Sequence, residues 1–265
     1  MKIFSPSPWF SQSSSSPLRK SGTAQAGFTL IELMVAIALS LFIVAGLSVL
    51  FVNLKTTFTS QDQQAQVQDS QRLAMTMLTT TIQSAGYFID PLNNTQVGAL
   101  PASVLNNPDG TSFSAAQGIG GTSGTVGPGG TSDTLNVRYQ TASGDGIMNC
   151  LGGSNPSSAA NSAVWVNSFA VNASNELTCA VNGGSAVALV SNVAQINLLY
   201  GVDTTGDGTT DTYLSANAIT TANLWGNVHS AKLTVRFVNL MNSNAGSVVA
   251  LPQPWVQTIS LMNNT

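Results

Sequence analysis

One stretch of the chain is almost free of polar interruption: Phe28 to Val52 reads FTLIELMVAIALSLFIVAGLSVLFV, with Glu32 its single charge. The uncharged part, Leu33 to Val52, is twenty residues, and at about 1.5 Å rise per residue a helix of that length crosses the roughly 30 Å hydrocarbon core of a bilayer. A secretory signal peptide has an apolar region of about 7–15 residues with a small-x-small cleavage site on its far side. Here the run is longer and is followed by Asn53, Leu54 and Lys55. The pattern predicts a membrane helix. Lys2, Arg19 and Lys20 precede it and no Lys or Arg lies within it, so the positive-inside bias predicts a cytoplasmic N-terminal side and an exported remainder.

Beyond Val52 the chain turns polar without turning irregular, and neither Pro nor Gly interrupts it before Gly86. Leu54, Phe58, Ala65, Val67, Ala74, Leu78, Ile82 and Ala85 fall at helical steps, as an amphipathic helix requires. Gly86 suits a C-terminal cap. The pattern predicts one helix from Thr29 to Ala85, its second half lying against a head domain. After Gly86 short alternating runs take over: Leu135–Tyr139, Val164–Val166, Ile196–Tyr200, Ala231–Phe237 and Trp255–Leu261. They read as half-buried strands. The expected fold is α+β, a long N-terminal helix packed on an antiparallel sheet. The chain divides into a leader (1–27), an apolar helix (28–53), its amphipathic continuation (54–86) and a β-rich head (87–265). The glycine-rich segment Asp109 to Asp133 reads as a flexible, exposed loop; with no Lys-Ser/Thr after its glycines it is not a phosphate cradle.

Composition narrows the function. Charged residues are 7% of the chain and hydrophobic ones 43%. The basic leader residues leave five Lys and Arg against eleven Asp and Glu, a net charge near −6 after Gly27. A direct nucleic-acid binder needs a basic stripe, and none exists. Cys150 and Cys179 are the two cysteines, both in the exported part. An oxidising compartment favours a disulfide there, whose loop would stabilise the fold by roughly 3–4 kcal/mol; two free thiols are the alternative. No CxxC or Cys/His cluster points to zinc.

A plain membrane anchor gives no reason to hold a carboxylate at Glu32, since an ionisable group at membrane depth is costly and usually has a partner. Gly27 to Glu32, G-F-T-L-I-E, resembles the prepilin peptidase motif of type IV pilins and pseudopilins: Gly at the cut, Phe after it, Glu at the fifth position beyond, basic residues upstream and the apolar run downstream. The resemblance implies cleavage between Gly27 and Phe28, methylation of the Phe28 amine by the prepilin peptidase, and removal of a leader whose Ser-rich start (Ser11 to Ser16) reads as an unstructured tail. It also implies that Glu32 neutralises the N-terminal amine of a neighbouring subunit, which offsets the cost of a buried charge.

Four head segments resemble the PilW family of minor pilins, in order: Ser84 to Phe88; Ser132 to Tyr139; Tyr200 to Asp203 running into Gly206-Asp207-Gly208; and Thr258 to Asn263, where Met262 stands in place of the usual Arg. That likeness implies a low-abundance subunit that primes assembly at the pilus tip. Its partners would be other minor and major pilins, an inner-membrane platform and an assembly ATPase. The route runs from the inner membrane, head in the periplasm, to the filament at the cell surface. The runner-up is a pseudopilin of a type II secretion system. A membrane-anchored exported enzyme is a third reading, but His229 is the single histidine and no G-x-S-x-G occurs.

A last motif is independent of the family. Asp203, Asp207 and Asp211 occupy positions one, five and nine of an EF-hand-like loop with Gly208 at position six, while Thr205 is a weak third ligand and Leu214 replaces the usual Glu. Either the loop takes calcium or it is a Gly-Asp-Gly turn between strands.

Overall fold

The computed structural model describes residues 27–103, 109–127, 130–239 and 253–262; the leader ahead of Gly27 lies outside them. Helix α1, Leu30–Gln83, is 54 residues long. Its last turn tightens through i→i+3 bonds from Ser84 to Thr81 (3.2 Å) and Ala85 to Ile82 (3.1 Å). Gly86 then takes the left-handed conformation (φ 76°) that ends the helix. Two compact units divide within α1, between Lys55 and Thr56.

The second unit, the head, is built on antiparallel strands, and it has two main sheets where the sequence pattern suggests one. The first sheet runs β1 (Ile119–Gly120), β4 (Leu135–Thr141), β5 (Ala163–Val171), β6 (Glu176–Val181) and β7 (Val187–Ser191) in that spatial order. The second runs β11 (Trp255–Ser260), β10 (Val228–Phe237), β8 (Val193–Val202) and β9 (Thr212–Leu214). A small hairpin pairs β2 (Thr125–Gly127) with β3 (Gly130–Ser132). Short helices α2 (Gln96–Ala99) and α3 (Ala216–Ala222) and a 3₁₀ turn at Trp225–Asn227 complete it.

One core joins the elements. Val67, Ala74, Met75, Leu78 and Ile82 of α1 are buried together with inward residues of both sheets, among them Val137, Phe169, Ile196 and Leu233. The buried stripe of α1 therefore starts at Val67. Leu54, Phe58 and Ala65, expected on the same stripe, are exposed. Periodicity identifies one face of a helix; it does not say how much of that face is covered.

The glycine-rich segment is not a free loop. Ile119 and Gly120 pair with Val137 and Asn136 of β4, and the segment also supplies the β2–β3 hairpin. Gly118 is required by close approach: a Cβ there would sit 2.2 Å from the Gly86 nitrogen. Backbone bonds from Arg138 to the Gly118 carbonyl (2.7 Å) and from Gly86 to the Arg138 carbonyl (2.9 Å) fix both segments beside β4.

Arg138, on β4, holds this region from inside. It is buried, and its guanidinium donates to the carbonyls of Pro101 (2.6 Å), Leu100 (3.3 Å), Ser114 (2.9 Å) and Gln117 (2.7 Å). The charge lies 4.8 Å from the Phe113 ring centre, a cation–π distance. Burial lowers its pKa to about 10, so it stays protonated at neutral pH while satisfying several carbonyls at once.

Candidate functional site

Gly27 and Phe28 are exposed, Phe28 at 87%. A Cβ added at Gly27 would meet nothing within 4 Å. Nothing in the described chain asks for glycine there.

Thr29 and Glu32 close the start of α1 reciprocally. The Thr29 backbone N–H and hydroxyl donate to Glu32 Oε2 at 3.1 and 3.0 Å, and the Glu32 N–H donates back to Thr29 Oγ1 at 3.3 Å. This is a capping box, and the carboxylate also complements the positive end of the helix. Its signature, T-x-x-E at Thr29 to Glu32, stands in the sequence within the peptidase motif itself.

From Leu30 to Val52 every residue is exposed, including Phe42 (80%) and Phe51 (69%). The two hydroxyls within this surface are turned inward on the backbone: Ser40 donates to the Ile37 carbonyl (2.9 Å) and Ser48 to that of Val44 (2.8 Å). No side-chain hydroxyl of the stretch is left requiring water, which suits an apolar medium. By length and composition α1 contains a segment able to cross a membrane.

In the head, Cys150 and Cys179 form a disulfide with Cα atoms 6.4 Å apart. Cys179 is fully buried on β6 and Cys150 half-buried in the loop after β4, so the bond staples that loop to the first sheet. The Cys150 N–H donates to Asn167 Oδ1 (2.7 Å) beside it.

The 203–211 loop brings Asp203, Thr205 and Asp211 together and leaves Asp207 apart. Asp203 accepts from the N–H groups of Gly208 (2.7 Å), Gly206 (2.6 Å) and Thr205 (2.9 Å). Asp211 accepts from the Thr204 and Thr205 N–H groups and both hydroxyls. Asp207 accepts only from its near neighbour Thr209. Burial pushes the Asp203 carboxyl up, but the amides of Gly208, Gly206 and Thr205 outweigh it and hold it below the usual range; the Thr204 amide and hydroxyl do the same for Asp211. Thr205 donates to both carboxylates, through its N–H and its hydroxyl. Among the described residues no three His, Cys, Asp or Glu side chains group as a metal site would need. His229 sits half-buried on β10, an interior strand rather than an edge, with Nε2 3.8 Å from Asp203 Oδ2.

Two family models match the chain. The prokaryotic N-terminal methylation motif covers residues 22–48, and Type IV Pilus-assembly protein W covers residues 163–250. Over these residues the chain is similar to the type IV pilus-assembly protein W family and carries the methylation motif of pilin-like proteins. No curated protein matches it. The first match embraces Gly27, Phe28, the capping box and most of the exposed helix; the second starts at β5 and takes in Cys179, the 203–211 loop and β10. The Gly27–Glu32 motif thus lies at the start of the exposed apolar stretch of α1, while the cysteine pair and the acidic loop lie in the head.

Proposed function

We propose that this minor pilin is cut between Gly27 and Phe28, methylated on the Phe28 amine, and incorporated in a type IV pilus, where it primes assembly at the tip. The observation that carries the reading is the helix from Leu30 to Val52, exposed along its whole length behind an accessible Gly27–Phe28 bond. Before cleavage the bilayer surrounds that surface, with the N-terminus cytoplasmic and the head periplasmic; after assembly the helices of neighbouring pilins do. Burying a large aliphatic or aromatic side chain contributes about 1.5–3 kcal/mol, so many exposed residues together give a strong drive to assemble. The head is read as a structural domain rather than an enzyme.

Within that reading Glu32 has two roles, capping its own helix and pairing with the amine of a neighbouring Phe28, and two substitutions separate them. Glu32→Gln keeps the reach of the capping box and loses the charge; Glu32→Val loses both. If pairing is the essential role, both variants insert in the membrane and both fail to enter filaments. Native incorporation of Glu32→Gln alone would assign the residue to capping. Pilus counts in a deletion strain test the priming role: a sharp drop supports it, whereas normal piliation with failed protein secretion would favour the pseudopilin reading.

A further inference from the structure

Away from the N-terminal helix, a cleft of about 360 Å³ opens in the head between the segment around Ser112–Gln117 and the end of α3. Its volume lies in the range of small-molecule sites. None of its lining residues is charged; Ser112, Phe113, Ser114, Gln117, Asn223 and Trp225 supply hydroxyls, amides and aromatic surface.

Part of this wall is held in place. Trp225 Nε1 donates to Thr220 Oγ1 (3.0 Å), and its ring meets Tyr200 edge-on with centroids 4.9 Å apart. The Gln117 amide is committed on both sides, donating to the Ile119 carbonyl (2.8 Å) and accepting from the Ser114 N–H (2.9 Å). Another part is held by its backbone with the side chain left over. Asn223 takes the left-handed conformation (φ 55°), and its N–H caps α3 on the Ile219 and Thr220 carbonyls. Its side-chain amide, and the hydroxyls of Ser112 and Ser114, make no hydrogen bond among the described residues.

A fixed indole beside unengaged amide and hydroxyl groups, with no countercharge, discriminates among ligand classes. The nearest charge, Arg138 behind Phe113, is already spent on the Ser114 and Gln117 carbonyls, so a phosphate or carboxylate would lose water without a charged partner lining the cleft, and an ammonium would meet like charge. A neutral sugar presents C–H faces to an aromatic surface, whose face is electron-rich, and hydroxyls that both donate and accept towards amides and Ser hydroxyls. We propose that this cleft binds a neutral carbohydrate, a mono- or disaccharide unit of a glycan. The site would make the head a sugar-contacting surface, independently of how the chain enters a filament.

The test uses the full mature chain in zwitterionic detergent, free of sugar headgroups, with saturation-transfer NMR against glucose, galactose, mannose, N-acetylglucosamine, lactose, cellobiose and chitobiose. Saturable binding by at least one of them is expected, at about millimolar affinity for so small a ligand. Asn223→Gly, which tolerates the left-handed turn, combined with Ser114→Ala should weaken it at least tenfold with the melting curve unchanged. Saturation by none of the sugars, or equal binding by the double variant, overturns the proposal. So does loss of filament incorporation in the double variant when the native chain binds no sugar, because the cleft then belongs to a neighbouring subunit. Since binding is read on the isolated chain, its failure is distinguishable from a failure of the filament reading.

Discussion

The helix from Leu30 to Val52 and the head are opposite solutions to the same problem of apolar surface. In the helix, large side chains such as Phe42 and Phe51 stay exposed. In the head, α1 from Val67 onward and the inner residues of two sheets are covered, and polar groups caught beneath the surface are met by backbone: Arg138 by carbonyls, Asp203 by amides. Asp133 does the same between elements, accepting from the Gly124 N–H (2.9 Å) and the Leu198 N–H (2.8 Å). A region that covers its apolar side chains and meets its buried charges with backbone in this way is specified to fold by itself. A region that leaves its apolar groups uncovered is specified for a medium or a neighbour.

The comparison breaks most readily at Arg138. Arg138→Leu takes the donor from several buried carbonyls and should cost the head about 3–5 kcal/mol, a drop on the order of 10 °C in melting temperature. Membrane insertion of the N-terminal helix should be unchanged; parallel loss of insertion would mean that the two regions are not separately specified. Replacing both cysteines by Ser comes next, with an expected loss of about 3–4 kcal/mol from the Cys150–Cys179 closure. Thermal melts under non-reducing conditions read it, and an unchanged melt would show that the staple is dispensable.

Acid should act on the head through Asp203 and Asp211. Both carboxyls lie below their ordinary value of 3.8 in the folded chain. Their contribution is therefore present above that value and is lost as pH falls through the lower folded values, because the unfolded chain takes up protons first. Melting temperature should hold from neutral pH to about pH 5 and decline below about pH 4, less steeply in Asp203→Asn/Asp211→Asn. Equal decline in the variant would place the acid sensitivity elsewhere. The smallest effect is expected from calcium. With those carboxylates turned onto amides, calcium chloride should give no binding heat and chelator no shift in melting temperature. A saturable heat abolished by Asp207→Asn would instead show that the loop reorganises around the ion.

Contiguity explains what was legible in the sequence. The Gly27–Glu32 motif and the apolar run are local, and so are the alternating runs that became β4, β8, β10 and β11. Less legible were β6, β7 and β9: β9 is three residues long, and β7 is an edge strand with an exposed start. Their strand state follows from pairing with distant partners more than from their own pattern. The same holds for Ile119–Gly120, which a glycine-rich context disguised as loop until β4 supplied its partner. Arg138 reads in sequence as one polar position of a half-buried strand; its burial depends on carbonyls from Leu100, Pro101, Ser114 and Gln117, all distant in the chain.

The central claim, that the exposed helix is released by cleavage to serve as an assembly surface, is tested most directly at the new terminus. Intact-mass and N-terminal peptide mass spectrometry on the chain recovered from cells with active prepilin peptidase should find N-methyl-Phe28 as the first residue, and Gly27→Leu should abolish that species and filament entry together. Recovery of the chain with the segment ahead of Gly27 still attached, in cells that process their other pilins, would contradict the account.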